Sequence, residues 1–207
     1  MDQTAPVATA MILVLCSANQ CRSPMAGALL TRRLAAPQRA PVPVAVRSAG
    51  LFDEGPLQEG EPPPPEAVSA LAGYGVDVSG HRSHRVTPAD LRGSDLVLGM
   101  SRAHVRRAVV IVPEVWPRAF TLKELLRRGS ETGPRTPGEP MADWLARVHE
   151  GRERVALLGD SPADDVADPM GGPPQAYANT AALLNDLMGR LAGLCWGLSA
   201  DRLAGER

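Results

Sequence analysis

The stretch MILVLCSANQCRSPMAG, residues 11–27, decides the architecture. Met11 to Leu15 is a continuous apolar run, the mark of a strand buried on both faces of a parallel sheet. Cys16 to Arg22 then supplies small and turn-forming residues. Ser23 is a good helix N-cap, and Pro24 suits the first helical position, where its missing N–H costs nothing. Met25, Leu29, Leu30 and Leu34 follow at helical spacing. A buried strand, a short loop and a helix make the first half of a βαβ unit.

The rest of the chain repeats that alternation. VPVAVRSAG (42–50) reads as a second strand, residues 66–73 as a helix, and DLVLGM (95–100) as a third buried strand followed by a helix in SRAHVRRAVVIV. FTLKELLRR (120–128) reads as a strand end or cap at Thr121 leading into a helix, and residues 176–198 as a long amphipathic C-terminal helix. Alternating strands and helices predict one α/β domain with a parallel sheet. Ligands of such sheets sit at the carboxyl ends of the strands, where the Cys16–Arg22 loop lies. RGSETGPRTPGEP (128–140) has loop composition, so 128–150 is expected to be a flexible insertion around a short helix at 141–152. Residues 1–9 read as an N-terminal extension, 10–198 as the domain and 199–207 as a tail.

Composition narrows the class. The 207 residues carry a formal net charge of -1, without the basic bias of a nucleic-acid binder. Three cysteines and no recognisable secretion signal fit a reducing cytosol, so a cytoplasmic location is expected. No apolar run is long enough for a membrane span.

Cys16 and Cys21 taken alone suit a metal clip, a disulfide or a redox relay, whereas Cys16-x5-Arg22 suits an anion cradle. The context favours the cradle. A loop of small residues before a helix N-terminus turns its N–H groups on an anion, and Arg22 adds a planar, bidentate partner for phosphoryl oxygens. The same field favours a thiolate at Cys16. A thiolate attacking phosphorus needs a proton donor for the leaving oxygen, and Asp168 in ADPMGG, stiffened by Pro169, is the candidate. His84, His104 and His149 show no ligand spacing and read as surface residues, and Cys195 with Trp196 as core packing.

Cys16-Ser-Ala-Asn-Gln-Cys-Arg-Ser-Pro-Met-Ala resembles the signature loop of the low-molecular-weight protein tyrosine phosphatases, and Asp168-Pro169 resembles their distal acid loop. VRSAGL (46–51), GVDVSGHRSHRVTPADL (75–91) and SDLVLGMSRAHV (94–105) follow in the same order, so the resemblance covers residues 10–126 and 155–195. It implies a four-stranded parallel sheet flanked by helices on both faces, with a phosphate-binding loop after the first strand. It also implies hydrolysis through a phosphocysteine at Cys16. Arg22 and the backbone of Ser17, Ala18, Asn19, Gln20 and Cys21 would hold the phosphoryl group, Ser23 would stabilise the departing thiolate, and Asp168 would be acid and then base. Asn19, Ser48 and His81 would support the loop, and Cys21 would guard the nucleophile by forming a disulfide.

No metal or organic cofactor is implied. The partner implied is a phosphorylated protein or small phosphoester, favouring phosphotyrosine, with phosphoarginine or a phosphorylated metabolite as further substrates, on a monomer or weak dimer. The chain departs from the pattern at Ala18 and at the pocket-wall positions Gln20, Phe52 and Met170, which loosens the grip on a tyrosine ring without touching the hydrolysis. Two other classes share the scaffold. An arsenate reductase needs relay cysteines, and none lies between Cys21 and Cys195. A phosphate-binding module would keep the cradle without turnover.

Overall fold

Strand β1 (Ala10–Cys16) is the axis of the molecule: it pairs in parallel with β2 (Val44–Gly50) on one side and β3 (Leu96–Gly99) on the other. β3 pairs in parallel with the three-residue β4 (Ala119–Thr121), so the sheet order is β2-β1-β3-β4. The computed structural model describes residues 10–35, 43–52 and 58–198. The N-terminal extension (1–9) and the tail (199–207) lie outside them.

Side chains of β1 alternate between two cores, as the two-residue period of a strand requires. Ile12, Val14 and Cys16 face a layer made by α1 (Arg22–Leu34), α2 (Pro65–Ala72), α5 (Leu122–Thr132), α6 (Met141–His149) and α7 (Pro174–Trp196). Leu13 and Leu15 face α3 (Pro88–Arg92), α4 (Arg102–Ile111) and the 3₁₀ segment Pro113–Arg118. Because helices cover both faces, the strands can be apolar throughout, which is why Met11–Leu15 shows no alternation. Cys195 is fully buried on α7.

Residues 128–150 depart from the expectation of a flexible insertion. The segment carries the end of α5 and the whole of α6, and Trp144 is fully buried. The Trp144 indole N–H donates to the Gly133 carbonyl at 2.9 Å, and the ring lies so close to Gly129 that an added Cβ would sit 3.1 Å from it. Arg135 joins the connecting turn to α7, its Nε donating to the Cys195 carbonyl at 2.7 Å. Trp144, Leu145 and Val148 outweigh the Gly/Pro-rich turn before them. Among the described residues no helix is long and apolar enough to cross a membrane.

Candidate active site

Cys16 is the last residue of β1, and α1 begins at Arg22 with Cys21 at the cap position. This corrects the expected N-cap at Ser23, whose hydroxyl is used elsewhere. It lies 3.0 Å from Cys16 Sγ and accepts a hydrogen bond from Asn19 Nδ2, also at 3.0 Å. The start of α1 therefore has no side-chain cap. Among the described residues, no backbone N–H from Ala18 to Ser23 donates to another protein group. A run of unused N–H groups at a helix N-terminus, beside a thiol, is an arrangement that can cradle an anion.

Asn19 holds the loop in shape. Its φ of 53° lies in the left-handed region, where asparagine is among the few side chains tolerated. Four contacts keep it there: Nδ2 donates to Ser23 and to Ser48 Oγ (2.9 Å), Oδ1 accepts from the His84 N–H (3.1 Å), and the carbonyl accepts from His81 Nε2 (2.7 Å). Burial lowers the His81 pKa, against the opposing effect of the carbonyl bond, and that bond places the ring proton on Nε2. The structure thus brings Asn19, Ser48 and His81 together. Gly50 closes the same corner: a Cβ there would run into the Phe52 ring.

Arg22 lies buried across the cradle, donating from Nη1 to the Val166 carbonyl (3.2 Å) and from Nη2 to Ser17 Oγ (3.3 Å). It also forms an ion pair with the half-exposed Asp168 carboxylate, which accepts the Met170 N–H at 3.2 Å. Residues 146 positions apart thus meet at the carboxyl end of the central strands.

The loop that delivers Asp168 is strapped to the body. The Val166 N–H donates to the Met100 carbonyl (2.7 Å), just past the end of β3. Asp165 accepts the Arg102 N–H (2.8 Å) and the Ser161 N–H (2.9 Å). The buried Asp164 carboxylate takes Arg102 Nη2 at 2.6 Å and Arg127 Nη1 at 2.7 Å. Burial opposes ionisation of Asp164, yet hydrogen bonds from Arg127 and Arg102 hold its carboxyl below the usual range. Lys123, the chain's one lysine, donates to the carbonyls of Pro162 and Asp165 (3.0 and 2.6 Å).

His104 corrects the expectation of a surface histidine. It is buried at the start of α4, with Nε2 3.1 Å from Ser17 Oγ and Nδ1 3.0 Å from Ser101 Oγ. Burial, and then the Arg22 charge, push it down to about 3, so it is a neutral imidazole at working pH. The sequence did hold a signal. His104, Val105, Ala108, Val109 and Val112 form one stripe at helical spacing, and His104 belongs to its buried face.

Other expected residues are less committed to the cradle. The buried Cys21 thiol donates to Met25 Sδ at 3.5 Å, and burial, Asp168 and Cys16 push it up to about 12 against the pull of Arg22. Phe52 is buried at φ 54°, its ring 4.9 Å from the Arg85 guanidinium, so it packs under the loop instead of standing as an open aromatic wall. Met170 is exposed, its sulfur 3.9 Å from the Tyr177 hydroxyl; Gln20 and Ala18 are half-buried. Among the described residues no group of three or more His, Cys, Asp or Glu side chains could hold a metal ion.

Comparison with known proteins agrees with this geometry. Residues 11–132 match the family model for low molecular weight phosphotyrosine protein phosphatase. The probable low molecular weight protein-tyrosine-phosphatase EpsP of Ralstonia solanacearum is 35% identical over 152 residues, covering 72% of this chain and 97% of the relative. The protein-arginine-phosphatase of Geobacillus stearothermophilus is 30% identical over 182 residues, covering 87% and 93%. Among solved structures, the low molecular weight protein tyrosine phosphatase from T. tengcongensis matches with a TM-score of 0.64 at 32% identity, covering 88% of this chain and 97% of that one.

Proposed function

The chain belongs to the low molecular weight phosphotyrosine protein phosphatase family, and from that membership we propose that Cys16, Arg22, Ser23 and Asp168 carry out a two-step hydrolysis of phosphorylated protein. One observation carries the assignment: a thiol and an arginine flank unused backbone N–H groups, with a carboxylate from a distant loop bonded to that arginine.

In the first step the Cys16 thiolate attacks phosphorus, an S–P bond forms and the ester P–O bond breaks. The loop N–H groups and Arg22 hold the non-bridging oxygens, whose charge grows in the transition state. Asp168, protonated, gives its proton to the leaving oxygen. In the second step water attacks the phosphocysteine, Asp168 takes the water proton, and the S–P bond breaks. Cys16 leaves as a thiolate stabilised by the Ser23 hydroxyl 3.0 Å away. The absence of cysteines between Cys21 and Cys195 argues against a reductase relay, and the three free thiols suit a reducing, cytoplasmic setting.

Phosphotyrosine is the proposed substrate, supported by the family and by the Ralstonia relative. A second reading, phosphoarginine, is supported by the Geobacillus relative and by the pocket edge, where Gln20 and Met170 stand and Phe52 is tucked away. The test is turnover of p-nitrophenyl phosphate, a phosphotyrosine peptide and a phosphoarginine peptide by wild type, Cys16→Ser and Asp168→Asn. Hydrolysis that disappears in Cys16→Ser is expected; equal rates in the two proteins would refute the assignment. The higher kcat/KM of the two peptides decides the substrate.

A further inference from the structure

We propose that His104 is a positioning residue that aims the Arg22 guanidinium through the Ser17 hydroxyl; this rests on the phosphatase reading above. The geometry is a continuous chain from the start of α4 to the cradle. Ser101 caps α4, its Oγ accepting the His104 N–H at 3.4 Å and lying 3.0 Å from Nδ1. Nε2 lies 3.1 Å from Ser17 Oγ, which also accepts from Arg22 Nη2 at 3.3 Å.

A neutral imidazole has one donor and one acceptor nitrogen. Because Ser101 Oγ already accepts a backbone N–H, we assign its own proton to Nδ1, and Nε2–H then donates to Ser17 Oγ. The serine oxygen is thereby filled by two donors, His104 and Arg22. Its own proton is left for an acceptor in the cradle, namely a phosphoryl oxygen.

The need for such an anchor follows from the reaction. Arg22 has three partners: Asp168, the Val166 carbonyl and Ser17. To protonate the leaving oxygen, Asp168 must turn from Arg22 toward the substrate. Only Val166 and Ser17 then remain to hold the guanidinium plane against the phosphoryl group, and a bidentate arginine loses most of its value if its plane swings. Neutrality matters as well, since an imidazolium at this position would face Arg22 at close range.

The test measures inorganic phosphate binding by calorimetry, alongside kcat and KM for p-nitrophenyl phosphate. It compares wild type, Ser17→Ala, His104→Leu, His104→Gln and the Ser17→Ala/His104→Leu double variant. Each of Ser17→Ala and His104→Leu is expected to weaken phosphate binding about 5- to 10-fold, the worth of one ordinary hydrogen bond. The double variant should bind no more weakly than Ser17→Ala, because the two act in series. His104→Gln, which keeps a side-chain donor, should recover most of the affinity. Multiplicative losses in the double variant, or unchanged phosphate affinity in Ser17→Ala, would overturn the proposal. Ser17→Ala removes only a half-buried hydroxyl, so it decides the matter even where His104→Leu does not fold. A wild type that binds phosphate but hydrolyses no ester would refute the phosphatase reading while the binding cycle still tested this link.

Discussion

Replacing Asp164 by asparagine should slow catalysis at a distance, selectively for poor leaving groups. The Asp164 carboxylate is buried and receives two arginines, Arg102 and Arg127, at 2.6 and 2.7 Å. An asparagine offers one acceptor oxygen and turns an NH₂ toward the other guanidinium. Breaking a fully buried pair costs about 3–5 kcal/mol, but Arg102 and Arg127 are 24% and 48% exposed and recover hydration, so the cost falls to about 2 kcal/mol. That energy is spent in the loop four residues before Asp168. Val166, tied to Met100, keeps the Arg22 anchor in place, so the displacement falls on the acid. The assay is kcat on p-nitrophenyl phosphate and on phenyl phosphate, with Asp168→Asn in parallel. Phenolate needs a proton to leave and nitrophenolate barely does. We therefore expect about a 10-fold loss on phenyl phosphate, a few-fold loss on the nitrophenyl ester, and phosphate inhibition within about 2-fold of wild type. Equal losses on both esters, or weakened phosphate inhibition, would show that the strap serves the cradle and not the acid.

Two further outcomes follow from the packing. Trp144→Ala should destabilise the protein by about 3–5 kcal/mol in urea unfolding, the usual cost of emptying a buried aromatic site; a loss below about 1 kcal/mol would mean that α6 is dispensable to the core. Acid should weaken the fold through His104. In the unfolded chain this histidine takes its proton near pH 6.5, but in the folded protein only near 3, so the unfolded state binds the extra proton first. Stability is then highest above pH 6.5 and falls by up to about 1.4 kcal/mol per pH unit from there toward pH 3. The His104→Gln variant should show a shallower fall over that window, measured by denaturant titration at stepped pH; an unchanged slope would remove His104 as the cause.

The parts of the fold legible in the sequence are those where one physical demand dominates. Met11–Leu15 must be apolar on both faces, and no other element tolerates that pattern as well. β4 is three residues long, too short to show any period, and it is a strand by its parallel pairing with Val97–Gly99 of β3. The 128–140 stretch shows how composition misleads: its glycines and prolines describe its own backbone, whereas its place is fixed by contacts with the rest of the fold, through Trp144 on Gly133 and Arg135 on the Cys195 carbonyl. At the proposed site, Cys16, Arg22 and Asp168 can be named from the sequence because the chemistry constrains residue type, and the structure brings Arg22 and Asp168 into contact. Ser23 looked like a cap because capping is the commonest use of a serine before a helix, yet its hydroxyl serves the thiol. For His104 the helical stripe announces burial, but its bond to Ser17 becomes visible only once the loop is folded against α4.

The uncapped start of α1 reaches beyond substrate binding. Thr87, Ser101 and Thr121 cap α3, α4 and α5 with their own side chains, whereas the first turn of α1 has none and, on the proposed function, would be completed by a bound oxyanion. A cradle of this kind would recognise tetrahedral oxygens and not the group attached to them, so the inorganic phosphate released at the end of each cycle should satisfy it as well as the substrate did. Product inhibition is therefore expected from the same backbone that would hold the substrate. Rising free phosphate is then expected both to slow turnover and to stabilise the fold, which would tie activity and lifetime in opposite directions to one ion.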